Sequence, residues 1–389
     1  MSRHLRETKD KLMRVLLAGG GTAGHINPAI AIAQYIRSKD ERAEILFAGT
    51  PQGMEAQLVA KAGFDFTPVQ VSGFRRKLSV QNIVHNIKTV CHVVTADFVS
   101  KRIIRDFQPD VVIGTGGYVS GPVVLAAAKL GIKTMIHEQN AFPGVTNKLL
   151  AKKVDTVMLA VAEAKEHFDP EAHCEVVGNP VRQSVIFKTK EEARKSLGLD
   201  KKVCILSFGG SLGAKVINHA AADLIEWNYQ QDKINHIHGY GRLGKEHFPQ
   251  MVEERGIPFG KLLGKKADPN IDVREYIDNM DTCLAAADLV ICRSGAITLS
   301  ELQATGKASI LVPSPYVAEN HQFHNAMVLV NHGAAMLIEE KDYDKDSFLR
   351  MIESVYQDRE KLNQLGKNAS KLAILDSTER IYRLICGLI

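Results

Sequence analysis

Four glycine-rich runs carry the residue types that can handle phosphate. They are Gly19-Gly20-Gly21-Thr22-Ala23-Gly24-His25, Gly114-Thr115-Gly116-Gly117-Tyr118-Val119-Ser120-Gly121-Pro122, Gly209-Gly210-Ser211-Leu212-Gly213 and Ser294-Gly295-Ala296. Each follows an apolar, β-forming stretch and precedes a helical pattern. Glycine at such a turn lets backbone N–H groups come close to a ligand, and the helix N-terminus behind it favours negative charge. The first run fits G-x-G-x-x-G, a pyrophosphate fingerprint. One such loop is ordinary turn chemistry; four, shared between two halves of a chain, indicate a phosphate-bearing ligand at the carboxyl edge of parallel strands. A nicotinamide dinucleotide fits poorly. It needs an acid just after the second strand to hold a ribose, and that strand ends Phe47-Ala48-Gly49-Thr50.

The elements that must hold these loops are legible as alternation. Strands are predicted at Arg14–Leu17, Ile45–Ala48, Val111–Ile113, Thr134–His137, Thr156–Leu159, Val203–Phe208, Leu289–Cys292 and Ser309–Val312. Most are apolar on both faces, as strands between two helix layers are. Helical patterns separate many of them, including Pro28–Lys39, Pro122–Leu130 and Ile297–Thr305. The alternation predicts an α/β chain with parallel sheets. Gly178-Asn179-Pro180-Val181-Arg182 punctuates the middle, before the charged segment Lys188–Lys202, and divides the chain into 1–182 and 183–373. The stretch Ser377–Ile389 reads as an amphipathic helix.

Composition bounds the answer. The chain has 389 residues, 45% hydrophobic and 24% charged, the balance of a folded globular protein. Its net charge of +5 is unevenly placed: residues 1–182 hold 23 basic and 17 acidic side chains. The window 71–105 alone has seven basic residues (Arg75, Arg76, Lys77, Lys88, Lys101, Arg102, Arg105) against Asp97. Six cysteines form no CxxC pair, so a disulfide framework is not expected. The start, with basic residues before about six apolar ones, is too short for a secretory signal, and Met1–Lys11 reads as a frayed tail.

Motifs in series make the reading specific. GGGTAGHINPAIAIAQ, GTGGYVSGPVVLAA, HEQNAFPGVTNKLLA, GNPVR, GGSLGA, CRSGAITLSE and ENHQFHNA occur in this order over about residues 15–330. Together they resemble the MurG family, which transfers N-acetylglucosamine (GlcNAc) from UDP-GlcNAc to undecaprenyl-diphospho-N-acetylmuramoyl-pentapeptide, converting lipid I to lipid II in peptidoglycan synthesis. The resemblance implies the GT-B glycosyltransferase fold: two doubly wound Rossmann-like domains facing across a cleft. Residues 1–182 would form the acceptor and membrane-associating domain, with 374–389 returning to it, and 183–373 the donor domain. It also implies inverting hexosyl transfer without a cofactor, at the cytoplasmic face of the bacterial plasma membrane, with a cell-wall synthesis complex as partner.

Residue by residue, the resemblance carries over as follows. Ile277 matches a backbone contact to uracil, and Glu301 the acid that holds the ribose hydroxyls. Ser211, Arg182 and Ala296-Ile297-Thr298-Leu299-Ser300 match positions around the phosphates. Gln322 and Asn140 match sugar contacts, and Thr22-Ala23-Gly24 matches the first-domain loop that closes over the sugar. Inverting transfer needs a base for the attacking 4-hydroxyl. His25, just past the glycines at a helix start that disfavours its cation, is the leading candidate for that base or for a diphosphate contact. Glu138 could share the role.

Several patterns receive duller readings. His321 and His324 around Gln322, and His236-Ile237-His238, lack a third ligand at a recognisable spacing, so no metal is assigned. Asp342-Tyr343-Asp344 reads as turn and cap chemistry. In the basic window, apolar residues recur at helical spacing from 80 to 98 between basic ends, which suggests docking on an anionic membrane surface. It lacks interleaved aromatics and base-reading motifs, which argues against nucleic acid. Two rivals stand beside the MurG-like reading: another GT-B transferase such as a diacylglycerol glycosyltransferase, and a non-catalytic UDP-sugar-binding scaffold of the cell wall.

Overall fold

The structure, a computed structural model, describes residues 12–71, 95–264 and 268–389. Residues up to Pro180, joined by Leu375–Ile389, form one compact unit, and Val181–Ile374 form a second.

The first unit holds a seven-stranded parallel sheet. Its strands are β1 (Arg14–Gly19), β2 (Glu44–Gly49), β3 (Asp65–Pro68), β4 (Val111–Gly116), β5 (Lys133–Glu138), β6 (Thr156–Leu159) and β7 (Cys174–Val176), in the order β3-β2-β1-β4-β5-β6-β7. Period-2 alternation sends β1 side chains to two cores. Val15 and Leu17 pack with Ile32 and Ile36, while Leu16 and Ala18 pack with Val123, Val124 and Ala127. The C-terminal helix Ser377–Leu388 joins the first of these cores through Ile381 and Ile385, both fully buried. At about 2 kcal/mol for each side chain, that burial holds the helix on the first unit. Tyr382 adds an edge-on contact to Tyr35, ring centroids 5.9 Å apart.

The second unit repeats the plan with β8 (Cys204–Phe208), β9 (Asn235–Gly239), β10 (Ile271–Arg274), β11 (Leu289–Cys292), β12 (Ala308–Leu311) and β13 (Ala335–Leu337), ordered β10-β9-β8-β11-β12-β13. Both sheets reverse strand order beside their first strand, at β1/β4 and at β8/β11. That is where an open parallel sheet leaves a crevice at its carboxyl edge.

The structure adds five strands to the predicted eight. Four of them, β3, β7, β10 and β13, lie at sheet edges, where they are short and only partly buried. The fifth, β9, is fully buried but built from Asn235, His236 and His238, which gives no apolar signal. One helix start also differs. Pro28 was expected to open the first helix, yet the helix runs Ala23–Lys39 with Pro28 inside it. His25 thus sits in the first turn, where its N–H donates to the Thr22 carbonyl at 3.1 Å.

Candidate functional site

In the first unit the two glycine loops interlock at the carboxyl edges of β1 and β4. Gly20 N–H donates to the Gly116 carbonyl (3.2 Å), and the Thr115 hydroxyl donates to the His25 carbonyl (2.8 Å). Two glycines are sterically required. A Cβ on Gly117 would collide with the Gly20 carbonyl, and one on Gly116 (φ +107°) would come within 2.7 Å of His25 Cδ2. The imidazole is therefore seated on the second loop. Its Nδ1 lies 3.1 Å from the Gly20 carbonyl and 3.3 Å from Thr22 Oγ1. A carbonyl can only accept, so Nδ1 carries the proton and Nε2 is left as the basic nitrogen. Thr22, Ala23 and Gly24 form the turn that makes this possible.

Glu138 has another task than the base role expected for it. At the end of β5 it is 2% exposed and ringed by four donors. Oε1 accepts from Asn140 N and Asn140 Nδ2, each at 3.0 Å, and Oε2 accepts from Gly144 N (3.1 Å) and Asn147 Nδ2 (2.8 Å). A carboxylate saturated in this way organises the 139–147 loop and with it the placement of Asn140. Its neighbour His137 is fully buried, with Nε2–H donating to the Gly178 carbonyl at 2.9 Å. Burial pulls its pKa down to about 4, against that bond. It is thus a neutral structural group linking the loop to Gly178.

In the second unit the structure joins two of the expected residues. Arg182 places Nε and a terminal guanidinium nitrogen each 2.9 Å from Glu301 Oε1. Burial raises the Glu301 pKa, and the Arg182 charge and hydrogen bond pull it back. The pair holds a carboxylate at the carboxyl edge of β11 with a cation beside it. Ile277 is buried, its side chain against Gly239 at the end of β9. Ser211 is exposed on the loop after β8, its carbonyl accepting from Arg242 N–H at 3.2 Å. Gln322 Oε1 accepts from Ser314 N–H (2.9 Å) at the start of the helix His321–Asn331. Asn325 on that helix donates to the Ser294 carbonyl at 3.2 Å, which ties it to the fourth glycine loop. Within Ala296–Ser300, Leu299 points into the core and the Ser300 hydroxyl donates to the Ala296 carbonyl. That turn therefore offers a ligand its backbone rather than those two side chains.

The helix starts behind the glycine loops are electrostatically open. The helices that follow the four glycine loops (Ala23–Lys39, Ser120–Lys129, Lys215–Asn228 and Ala296–Ala304) have no side-chain cap and no acid in the first turn. Three helices elsewhere are capped, by Thr189, Asp344 and Asp358, with acids in each first turn, whereas Val145–Leu150, Gln183–Ile186, His247–Glu253 and His321–Asn331 start as bare as those after the loops. A bare N-terminus keeps its partial positive charge for a ligand. Four bare starts at the two strand-order reversals are what a diphosphate-handling protein needs.

The remaining patterns resolve as follows. Asp344 of Asp342-Tyr343-Asp344 caps a helix by accepting from Ser347 N–H at 2.9 Å. His236 and His238 are buried around the Ser207 hydroxyl, 2.8 Å from each, and burial lowers both pKa values, that of His236 to about 3. Among the described residues no group of three or more His, Cys, Asp or Glu could hold a metal ion. No described helix is long and apolar enough to cross a membrane. Of the basic window, residues 72–94, and with them Arg75, Arg76, Lys77 and Lys88, lie outside the described residues, as does Met1–Lys11. In its described part Phe98 is 72% exposed, and Lys101 pairs with Asp97 at 2.6 Å.

Sequence reasoning missed one residue of this site. Glu55, 1% exposed, accepts hydrogen bonds from Gly21 N–H and from Thr50. The acid sought directly after β2 is absent there. Glu55 instead returns to that edge from the first turn of the next helix, Met54–Lys61, and only the folded chain brings it to Gly21.

This architecture and its phosphate-ready loops define a GT-B glycosyltransferase. The profile of the glycosyltransferase family 28 N-terminal domain matches residues 15–159, and that of the family 28 C-terminal domain matches residues 204–381. A UDP-N-acetylglucosamine--N-acetylmuramyl-(pentapeptide) pyrophosphoryl-undecaprenol N-acetylglucosamine transferase from Acetivibrio thermocellus is 44% identical over 96% of this chain and 97% of its own. A Bacillus cereus enzyme of the same name, numbered 1, is 41% identical over 97% of this chain and 100% of its own. The crystal structure of Acinetobacter baumannii MurG superposes with a TM-score of 0.74, at 27% identity, over 96% of this chain and 99% of that one. The chain belongs to the MurG family.

Proposed function

We propose that the chain transfers GlcNAc from UDP-GlcNAc to the 4-hydroxyl of undecaprenyl-diphospho-N-acetylmuramoyl-pentapeptide, with inversion. The observation that carries this reading is the joint presence, in a chain 44% identical to a transferase of that name, of a seated His25 and the Arg182–Glu301 pair. In the reaction the acceptor O4 attacks the anomeric carbon, the bond from that carbon to the β-phosphate oxygen breaks, and UDP leaves. His25 Nε2 takes the O4 proton. Arg182 and the bare start of Ala296–Ala304 offset the charge that builds on the departing diphosphate. Glu301 accepts from the ribose hydroxyls, Ile277 contacts uracil through its backbone, and Ser211 lies by the phosphates. Gln322 and Asn140 read the sugar, the latter placed by Glu138, and Thr22-Ala23-Gly24 closes over it.

On this reading the first unit, expected as 1–182 with 374–389, handles the acceptor, and the second, expected as 183–373 but taking in Arg182 as well, holds the donor. A lipid-linked acceptor keeps its enzyme at the bilayer, so the protein works as a peripheral enzyme on the cytoplasmic face, with residues 71–105 meeting anionic lipid. The deciding experiment is UDP release from UDP-GlcNAc with and without a lipid I analogue. Release that depends on acceptor is expected. Tight UDP-GlcNAc binding with no acceptor-dependent release would identify a non-catalytic scaffold instead. Liposome binding should be salt-sensitive and need anionic lipid; equal partitioning onto neutral vesicles would remove the membrane assignment.

A further inference from the structure

One peptide unit in the first glycine loop is gripped from both sides. The unit joins Gly20 to Gly21. Its carbonyl accepts from His25 Nδ1 at 3.1 Å, and its N–H donates to Glu55 Oε2 at 3.3 Å. The other carboxylate oxygen accepts from Thr50 N–H (3.0 Å) and from the Thr50 hydroxyl. Three glycines make room for this group. A Cβ on Gly20 would stand 2.5 Å from Oε1, one on Gly49 2.7 Å from Cγ, and one on Gly53 would collide with Oε2. The chain has therefore closed its backbone around a buried acid 34 residues from the loop in sequence.

We propose that Glu55 is a positioning residue that sets the tautomer and basicity of His25 through the Gly20–Gly21 peptide; the inference rests on the reading of His25 as the base. A peptide flanked by two glycines, one at φ +83°, meets little steric resistance to flipping its plane. A flip would turn an N–H toward Nδ1 and force the ring proton onto Nε2, the nitrogen that must be bare to accept from O4. Glu55 opposes the flip because a carboxylate accepts the Gly21 N–H and repels a carbonyl in its place. Burial disfavours the charge on Glu55, but hydrogen bonds from the Thr50 side chain, its own N–H, Thr50 N–H and Gly21 N–H outweigh it and lower its pKa, so it stays ionised. A carboxylate bound to the N–H also polarises the peptide, which strengthens the carbonyl as an acceptor for Nδ1–H. The arrangement is a carboxylate–peptide–imidazole series, with the peptide standing where a direct carboxylate–histidine contact would otherwise be.

The test combines ring tautomers with kinetics on the full chain. Long-range proton–nitrogen correlation of the histidine rings, assigned with His25→Ala, should show His25 protonated at Nδ1 in the wild type, and Gly21 N–H should exchange slowly. In Glu55→Gln the amide oxygen can keep Thr50, which turns its NH2 group against Gly21 N–H. The His25 signals should then move toward the other tautomer. kcat should fall about 10-fold, the scale of one hydrogen bond, while KM for UDP-GlcNAc stays within about 2-fold. Unchanged ring signals in Glu55→Gln, or a wild type protonated at Nε2, would overturn the proposal. The wild-type measurement decides even where the variant does not fold. If Glu55→Gln shifts the ring signals but His25→Ala keeps its turnover, the positioning stands and the base assignment falls. If His25→Ala is inactive and Glu55→Gln alters nothing, the reverse holds.

Discussion

The two halves of this chain share one topology, yet the loop after β1 and the loop after β11 serve in opposite ways. In the first unit the loop amides are spent inside the protein: Gly20 N–H on Gly116, Gly21 N–H on Glu55, and the Gly20 carbonyl on His25. That loop is a mount for a side chain. In the second unit the short loop Arg293-Ser294-Gly295 leads from β11 into a helix with an uncapped start, and the nearby side chains, Arg182 and Glu301, are paired with each other. That loop is suited to take hold of a ligand. A glycine fingerprint therefore marks where the backbone comes close to something, and the something can be protein. On the function proposed above, the first unit serves the reaction and the second the binding.

Variants can break this division, and the largest effect should come from His25→Ala. We expect turnover to fall at least ~100-fold with KM for UDP-GlcNAc unchanged, as loss of a general base requires. Steady-state kinetics with a lipid I analogue measure it, and near-normal kcat would remove the base role. Glu301→Ala should show the converse pattern. Losing hydrogen bonds to a charged acceptor, each worth about 1.5–3 kcal/mol, should weaken UDP binding by at least ~10-fold by calorimetry. Unweakened binding would return Glu301 to a structural role.

Acid should separate the units by stability. Burial holds His137 of the first unit at about 4 and His236 of the second at about 3, and lowers His238 as well, all from an ordinary value of 6.5. The unfolded chain takes up protons near its ordinary value while the folded one refuses them. The stability these histidines contribute is therefore complete above pH 6.5 and is lost as pH falls through the folded values. From pH 7 to 5 the loss is about 2 kcal/mol for His137 and for His236, and His238 adds to it in the same direction. Hydrogen exchange should find β8 and β9 weakening more than β4 and β5; equal losses would contradict the extra buried histidine of the second unit.

The smallest contrast is between two glycines at positive φ. Gly116→Ala drives a methyl into His25, whereas Gly210→Ala (φ +87°) meets open space. Both carry backbone strain of about 1 kcal/mol or more, and overpacking should add roughly another 1 kcal/mol at Gly116 alone. Thermal unfolding gives the difference, and only Gly116→Ala should also lower kcat.

Legibility followed burial and distance. Strands sandwiched between helices announced themselves because both faces must be apolar, so β1, β4, β8 and β11 were readable along with the loops they end in. Edge strands such as β10 and β13 lack one neighbour and are short and only partly buried, and β9 lies in the core with histidines that share the Ser207 hydroxyl. The site divided along similar lines. Thr22 to His25 are adjacent in sequence, so a motif could hold them together. Arg182 and Glu301 were readable one at a time, while their pairing across 119 positions was not. Glu138 looked like a second base until four donors were seen around it.

The sequence by itself determined the alternation of strand and helix, the two-part division and the family, because these rest on local periodicity and on the order of short motifs. Only the tertiary structure decided which polar groups are spent and which are offered. Whether a carboxylate is a base, a ribose clamp or a brace depends on how many donors surround it. Glu138 draws its four donors from the loop that follows it, whereas Glu55 meets Gly21 and Glu301 meets Arg182 only through folding.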